Sequence, residues 1–202
     1  NPSLDSQADL PASLMDLADP QYAGKWGAAP AGADFQAVVA GMLEAKGEPA
    51  TAAWLAGLKK NAKVYQNNIA TMKAVNAGQV PMGIMYHYYW YRDQARTKDG
   101  SKNTELHYFK GQDVGAFVSV SGGGVLKSSK HAADAQKFLA YITSPKGQAA
   151  ISESESMEYA VGVDQPSDPA LPPLASLEAP TVDPFTLDGP AVIELMTQAG
   201  II

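Results

Sequence analysis

The 202-residue chain contains no cysteine and only three histidines. The absence of cysteine excludes disulfide bridges, thiolate metal ligands and a cysteine nucleophile, and so few histidines argue against triad chemistry. No apolar run approaches the roughly 18 residues that a membrane-spanning helix requires. The first residues also lack the basic and apolar regions of a signal peptide. We therefore expect a soluble globular chain that works with oxygen and nitrogen ligands, with any secretion signal outside this sequence.

Basic residues are also scarce in the second half of the chain. Residues 1–100 carry nine basic and nine acidic side chains, whereas residues 101–202 carry six and twelve, so the net charge of −6 arises in the second half. After Lys146, nine acidic residues follow without a lysine or arginine. This balance argues against nucleic acid as a partner. It leaves open whether the acidic surface only aids solubility or also docks a basic partner.

Helical and strand-like patterns alternate along the chain. The clearest helix is predicted from Phe35, where apolar residues recur at helical spacing until Gly47. Further helices are predicted over residues 49–61, 67–78, 131–143, 190–199 and from 145 onward, and strands over residues 25–29, 80–86, 106–109 and 116–121. Strands that alternate with helices are typical of an α/β layered fold.

The most unusual feature is the run Tyr-His-Tyr-Tyr-Trp-Tyr at residues 86–91. Aromatic clusters usually pack in cores, but a strand would point Tyr88 and Tyr89 to opposite faces and would require two aromatic-lined faces. The polar residues 92–98 that follow favour the first turns of a helix. If the run ends a strand and begins a helix, both tyrosines can project near the helix N-terminus, where free amides favour anionic groups.

Two adjacent phenols at such a junction are candidate ligands for a ferric ion. A phenol with a pKa near 10 is a poor ligand while it is protonated. A hard, highly charged cation can displace that proton, because metal binding and ligand deprotonation are coupled, and ferric iron is the biological metal best suited to phenolate oxygen. His87 is either a third ligand or a hydrogen-bonding neighbour of the pair. Aromatic packing is the alternative explanation for the whole run.

Enzymatic chemistry is not predicted. The sequence contains no His-Glu-x-x-His, P-loop or Gly-x-Ser-x-Gly motif, and no pair of carboxylates stands out for acid–base catalysis. The glycines at residues 122–124 precede a further predicted strand at residues 125–127, whereas a dinucleotide-binding fingerprint follows a strand and opens a helix. We therefore expect a binding protein, with a hydrolase or transferase on a similar α/β scaffold as the alternative from another class.

The stretch Gly-Ile-Met-Tyr-His-Tyr-Tyr-Trp-Tyr at residues 83–91 resembles the tyrosine-pair motif of bacterial ferric-ion-binding proteins. Similar segments lie before and after it, at residues 54–59, 74–78, 113–116, 119–122, 125–129, 146–148 and 198–200. These proteins are the substrate-binding components of iron ABC transporters. The resemblance implies the type II periplasmic-binding-protein fold, with two lobes of mixed sheets flanked by helices. It also implies a periplasmic or extracytoplasmic location, with or without a lipid anchor, and delivery of Fe³⁺ to an ABC-transporter permease.

By this resemblance, Tyr88 and Tyr89 donate phenolates to Fe³⁺ in a cleft between the two lobes. Many members of the family complete the metal site with a synergistic anion, carbonate or phosphate. The positions here that match anion contacts or neighbours of the metal ligands are Asn68, Gly32, Ala33, Tyr86 and His87. This chain departs from the family where alanine or glycine replaces a hydroxyl-bearing loop residue, and Asp34 would repel an anion if it faced the site.

The resemblance also implies a division into lobes and a difference in length. Members of the family usually carry a further N-terminal segment that builds most of one lobe and supplies a His and a Glu ligand in many of them. We expect that segment to be absent from this chain and to act as its missing partner. Residues 1–118 are expected to form the tyrosine-bearing lobe, residues 119–169 part of the opposite lobe, and residues 170–202 a tail returning to the first. An organic or oxyanion ligand on the same fold, or an inactive fragment, are the alternatives.

Overall fold

The computed structural model describes residues 1–4, 9–162 and 164–202. Residues 5–8 and 163, which fall within the predicted lobes, lie outside the described residues. The strands are β1 (Trp26–Ala28), β2 (Ala62–Val64) and β3 (Met82–Gly83). The helices are α1 (Ala33–Lys46), α2 (Glu48–Asn61), α3 (Asn68–Asn76), α4 (His87–Ala95), α5 (Ala132–Ile142), α6 (Pro145–Ser152) and α7 (Gly189–Gln198). Short 3-10 helices occur at Leu14–Ala18, Pro20–Tyr22, Val114–Ala116 and Leu174–Leu177.

The chain divides into two compact units. The first unit comprises Asn1–Ser119 and Leu177–Ile202, and the second comprises Val120–Ser176. The assignment of these units to the lobes of a binding protein stays a prediction. No helix of the described residues is both long enough and apolar enough to cross a membrane.

A parallel sheet organises the first unit. The strand order is β2-β1-β3, and all three residues of the central strand β1 are buried. Trp26 is paired with Ala62 on one side and with Met82 on the other. Helices α1 and α2 connect β1 to β2, and α3 connects β2 to β3, because parallel neighbours require crossover connections. The sheet therefore places the segment after β3, which leads into α4, beside the buried centre of the unit.

Two tryptophans and an asparagine hold the segment before the sheet against α2. Trp26 and Trp54 are fully buried, with ring centroids 6.0 Å apart. Their indole N–H groups donate to the carbonyl oxygens of Leu17 and Leu14, at 3.1 and 2.9 Å. The buried Asn61 amide donates to three successive carbonyl oxygens, of residues 17–19, at 2.8 to 3.1 Å. Buried polar groups require such partners, so these bonds fix the segment's position.

The predicted helices are confirmed, and local signals in the sequence set their ends. The side chain of Asn67 caps α3 by accepting from the backbone N–H of Ala70 at 2.9 Å. Ser144 caps α6 in the same way, and Asp188 caps α7. Prolines occupy the first turns of α2, α6 and α7, where a missing backbone N–H costs little. These helix boundaries depend on nearby residues, so a single sequence can reveal them.

The strand predictions need correction. Residues 80–86 yield only the two-residue strand β3, and within the described residues none of 106–109, 116–121 and 125–127 forms a strand. A strand requires ladder bonds with a neighbouring strand, and the described strands are β1, β2 and β3. The prediction of mixed sheets is likewise not met within the described residues, because their sheet is parallel throughout. Strand β2 follows α2 directly and was not among the predicted strands.

The second unit contains α5 and α6. The side chain of Gln148 connects α6 to the end of α5 and to residues 161–162. Its Oε1 accepts from the N–H groups of Val161 and Gly162 at 2.9 Å each, and its Nε2 donates to the carbonyl of Ile142 at 2.8 Å. No residue of α5 is buried, and Phe138 on this helix is 61% exposed.

Candidate metal centre

The aromatic run lies at the junction between a strand and a helix, as the sequence predicts. β3 ends at Gly83, Tyr86 has extended backbone at the N-cap, and α4 begins at His87. Tyr88 and Tyr89 therefore occupy the first turn of α4, and no residue of this helix is fully buried. The junction rules out the alternative in which the run is a core strand with two aromatic faces.

The hydroxyl groups of both tyrosines meet at one carboxylate oxygen. Tyr88 Oη donates to Oδ2 of Asp34 at 3.1 Å, and Tyr89 Oη donates to the same atom at 2.8 Å. The two phenol rings lie with centroids 4.3 Å apart and planes 32° apart. Asp34 is 54 and 55 residues away in the chain and lies in the first turn of α1. The tertiary fold thus brings together three oxygens from the first turns of α1 and α4.

A third helix adds a donor to the same atom. Asn68 is the first residue of α3, and its Nδ2 donates to Asp34 Oδ2 at 2.7 Å. The first turns of α1, α3 and α4 therefore all meet at one carboxylate, where the partial positive charge of helix N-termini favours an anion. Asn68 lies where the resemblance implies a contact with an external anion. In the structure it binds a carboxylate of the protein instead.

The remaining predicted site residues surround this cluster. Gly32 is the N-cap of α1 and Ala33 its first residue, so they lie immediately before Asp34. The Tyr86 ring lies 6.1 Å from the Tyr88 ring. His87 packs edge-on against the rings of Tyr88 and Tyr91, with centroids 6.0 Å away in each case. The role of His87 as a ligand or as a hydrogen-bonding neighbour stays a prediction.

The environment keeps the Tyr88 hydroxyl protonated. Burial raises the pKa of Tyr88 far above the ordinary value of 10, and the hydrogen bond with Tyr89 and the negative charge of Asp34 raise the pKa further. Burial also raises the pKa of Tyr86, with the Ser119 side chain opposing the rise and the charge of Asp34 adding to it. A bound cation would have the opposite effect and lower the pKa of the phenol, because it stabilises the phenolate.

Asp34 is the site residue that the sequence reasoning missed as a direct participant. The available signal was its position beside the loop that contacts the anion in many members of the family. From that position the sequence predicts only that Asp34 repels an anion. Within the described residues, no group of three His, Asp or Glu side chains could hold a metal ion. The candidate centre is one carboxylate with two phenols, a combination that depends on tyrosine oxygen.

Comparison with known protein families places the chain among bacterial extracellular solute-binding proteins. A family model described as bacterial extracellular solute-binding protein matches residues 3–186, and the chain belongs to this family. Its structural neighbours have the type II periplasmic-binding-protein fold, which confirms the predicted fold class.

Iron-binding proteins are among the relatives. The chain is 54% identical over 202 residues to the Fe(3+)-binding periplasmic protein of Serratia marcescens, covering 100% of this chain and 60% of that protein. It is 34% identical over 197 residues to the major ferric iron-binding protein of Neisseria meningitidis serogroup B, covering 97% and 59%. The structure of iron-bound HitA from Pseudomonas aeruginosa matches with a TM-score of 0.89 at 42% identity, covering 99% and 65%. The chain thus spans about 60% of the length of the curated relatives.

Proposed function

We propose that this chain binds a ferric ion through the phenolates of Tyr88 and Tyr89. The observation that carries the proposal is that both hydroxyls contact one atom, Asp34 Oδ2, at 3.1 and 2.8 Å. Two oxygens that converge on one acceptor can converge on one cation with little rearrangement. Relatives described as ferric-iron-binding proteins support Fe³⁺ as the cargo, and phenolate is a ligand that this hard cation favours.

Asp34 supplies the third oxygen in this proposal. The two phenolates and the carboxylate together carry three negative charges, which balance the charge of Fe³⁺ without an external anion. An additional anion about 4 Å from Asp34 would be repelled by roughly 4 kcal/mol at the effective dielectric constant of a protein surface. Asn68 already donates to the carboxylate at 2.7 Å. We therefore infer that Asp34 replaces the predicted carbonate or phosphate in this half of the site.

In the cell, the proposed role is that of a carrier. The protein would hold the ion outside the cytoplasm and deliver it to the permease of an ABC importer, without catalysing a reaction. Release would follow from opening of the site at the permease or from protonation of the phenolates. The remaining ligands of the ion would come from the part of the longer relatives that this chain does not span. A lipid anchor stays a prediction of the sequence resemblance.

A calorimetric screen tests ferric ion against the alternative ligands. Ferric nitrilotriacetate, which keeps the ion in solution, is expected to give saturable heat and a visible absorption band from phenolate-to-iron charge transfer. Phosphate, carbonate, spermidine and thiamine are expected to give neither. Saturable heat with one of these compounds and none with iron would instead establish an organic or oxyanion ligand. The absence of binding heat with every compound would establish an inactive fragment.

Iron affinity is expected to fall as the pH falls. Both hydroxyls donate to Asp34 and therefore carry protons, and the raised pKa of Tyr88 keeps its proton in place through the neutral range. The ion must displace these protons, so affinity changes by about tenfold per pH unit for each proton released. Titrations in two buffers of different ionisation enthalpy count the protons, against a blank of the same iron complex.

The variant Tyr88→Phe provides the control for this count. We expect it to release one proton fewer per ion than the unmodified chain. If iron binds without releasing protons from the protein, the ion does not bind as a phenolate complex.

A further inference from the structure

The hydroxyl group of Tyr86 is buried and has no hydrogen-bond partner among the described residues. Most buried hydroxyls in native proteins are hydrogen-bonded, because a buried polar group without a partner destabilises the fold. Tyr86 is the N-cap of α4, but its side chain makes no capping hydrogen bond. The hydroxyl therefore does not hold the start of the helix, and its burial requires another explanation.

The neighbours of this hydroxyl belong to the candidate metal centre. The Tyr86 ring lies 6.1 Å from the Tyr88 ring, with the two planes 32° apart. Besides burial, the side chain of Ser119 and the charge of Asp34 act on the pKa of Tyr86, so both lie nearby. Ser119 is exposed, so its own hydroxyl can bond to solvent. The Tyr86 hydroxyl therefore lies beside the oxygens that the proposed function assigns to the ferric ion.

Binding of an ion would change what the Tyr88 oxygen offers to its surroundings. Without an ion, this hydroxyl donates its proton to Asp34 Oδ2 at 3.1 Å. If the ion displaces the proton, the oxygen becomes a negatively charged acceptor. Hydrogen bonds to charged groups are roughly twice as strong as those between neutral groups. The loaded centre would therefore offer a strong acceptor to the one neighbouring phenol that lacks a partner.

We propose that Tyr86 is a positioning residue of this centre, and that its hydroxyl donates to the Tyr88 phenolate when the ferric ion is bound. This inference rests on the proposed function and extends it from the ligands to a group that supports them. Groups that hydrogen-bond to metal ligands orient those ligands and tune the bound metal. Tyr86 would keep its proton and would not contact the ion itself.

Two effects of opposite sign follow from this role. In the iron-free protein the buried hydroxyl lacks a partner, so its removal would not destabilise the fold. In the iron complex the same hydroxyl supports a ligand, so its removal would weaken iron binding. A residue with a merely structural role would lower stability and affinity together.

The variant Tyr86→Phe removes the hydroxyl and keeps the ring. Titration with ferric nitrilotriacetate, with the chelator as competitor, is expected to show iron binding weakened by at least about tenfold. The visible band is expected to move to longer wavelength, because a donor that stabilised the phenolate is gone. The intensity of the band is expected to stay the same, because Tyr88 and Tyr89 both remain.

Thermal unfolding of the iron-free variant provides the second readout. Followed by circular dichroism, Tyr86→Phe is expected to melt at or above the temperature of the unmodified chain. Loss of an existing hydrogen bond would instead lower the melting temperature by about 2–4 °C in a chain of this size.

Two control variants accompany this measurement. Tyr141→Phe removes the same atom from a tyrosine that is 47% exposed on α5, and it is expected to change neither the band, the affinity nor the melting temperature. Ser119→Ala removes the hydroxyl nearest in kind to a structural partner for Tyr86. It is expected to leave the iron affinity and the band unchanged.

Four results would overturn the inference. The first is that Tyr86→Phe keeps the affinity and the band of the unmodified chain, in which case the proposed iron function still stands. The second is a lowered melting temperature of the iron-free variant, and the third is a loss of band intensity, which would make Tyr86 a ligand. The fourth is that Ser119→Ala reproduces the effects of Tyr86→Phe. If the unmodified chain forms no coloured complex, the proposed function fails and this inference fails with it.

Discussion

Replacing Tyr88 and Tyr89 together by phenylalanine is expected to abolish the visible absorption of the iron complex. The band requires phenolate bound to Fe³⁺, and this variant removes both hydroxyls that converge on Asp34. Loss of two direct ligands is expected to weaken iron binding by more than the 10- to 100-fold typical of changes among the neighbours of metal ligands. The measurement is a titration with ferric nitrilotriacetate followed in the visible range, with affinity taken from competition with the chelator.

The same helix offers a matched control. Tyr91 lies one turn further along the run, and its ring contacts His87 and Trp90. Tyr91→Phe therefore removes a phenol of the same helix and is expected to leave the band and the affinity close to those of the unmodified chain. Each single variant, at Tyr88 or Tyr89, is expected to shift the band and weaken binding less than the double variant does. A double variant that keeps both colour and affinity would disprove the assignment of the site.

Replacing Asp34 by alanine is expected to make iron binding depend on an added anion. In the unmodified chain the carboxylate contributes the third negative charge, so carbonate or phosphate should have little effect on affinity. Without it, the centre holds two phenolates and a free Asn68 amide, which is the arrangement that an external anion can complete. We expect binding to weaken by about 100-fold in anion-depleted buffer and to recover by about tenfold or more with millimolar bicarbonate or phosphate.

Glu44 provides the control for the loss of a negative charge. It is exposed on the same helix as Asp34, so Glu44→Ala changes the net charge equally without touching the centre. We expect this variant to bind iron as the unmodified chain does, with or without added anion. An Asp34→Ala variant that binds normally in anion-depleted buffer would show that the carboxylate is not a ligand. A strong requirement of the unmodified chain for carbonate would show the same.

Sequence patterns predicted the parts of this molecule that depend on neighbouring residues. The helix that ends at Gly47 follows from apolar spacing, and the start of α4 follows from a bulky aromatic run that turns polar after Tyr91. Tyr88 and Tyr89 could be predicted as a pair of metal ligands because adjacent residues at the start of a helix always lie close together. These signals are local, and the structure realises them with boundaries shifted by one or two residues.

The parts that depend on distant residues could not be predicted in the same way. Asp34 is more than fifty residues from the tyrosines, and only the tertiary fold brings it to them. The strand predictions were wrong for a related reason. A strand of two or three residues carries little hydrophobic pattern, and segments far away in the chain decide whether it pairs. Asn68 was placed near the site by resemblance, but its partner became visible only in three dimensions.

The way in which Asp34 is held has a consequence for the proposed function. Three N–H and O–H donors already point at Oδ2 before any iron arrives, so folding alone sets the donor atoms in place. On the proposed function, loading would exchange two phenol protons for one ferric ion between donor atoms that the fold has already placed. Unloading would reverse this exchange, so an acidic environment would favour release of the ion, in addition to opening of the site.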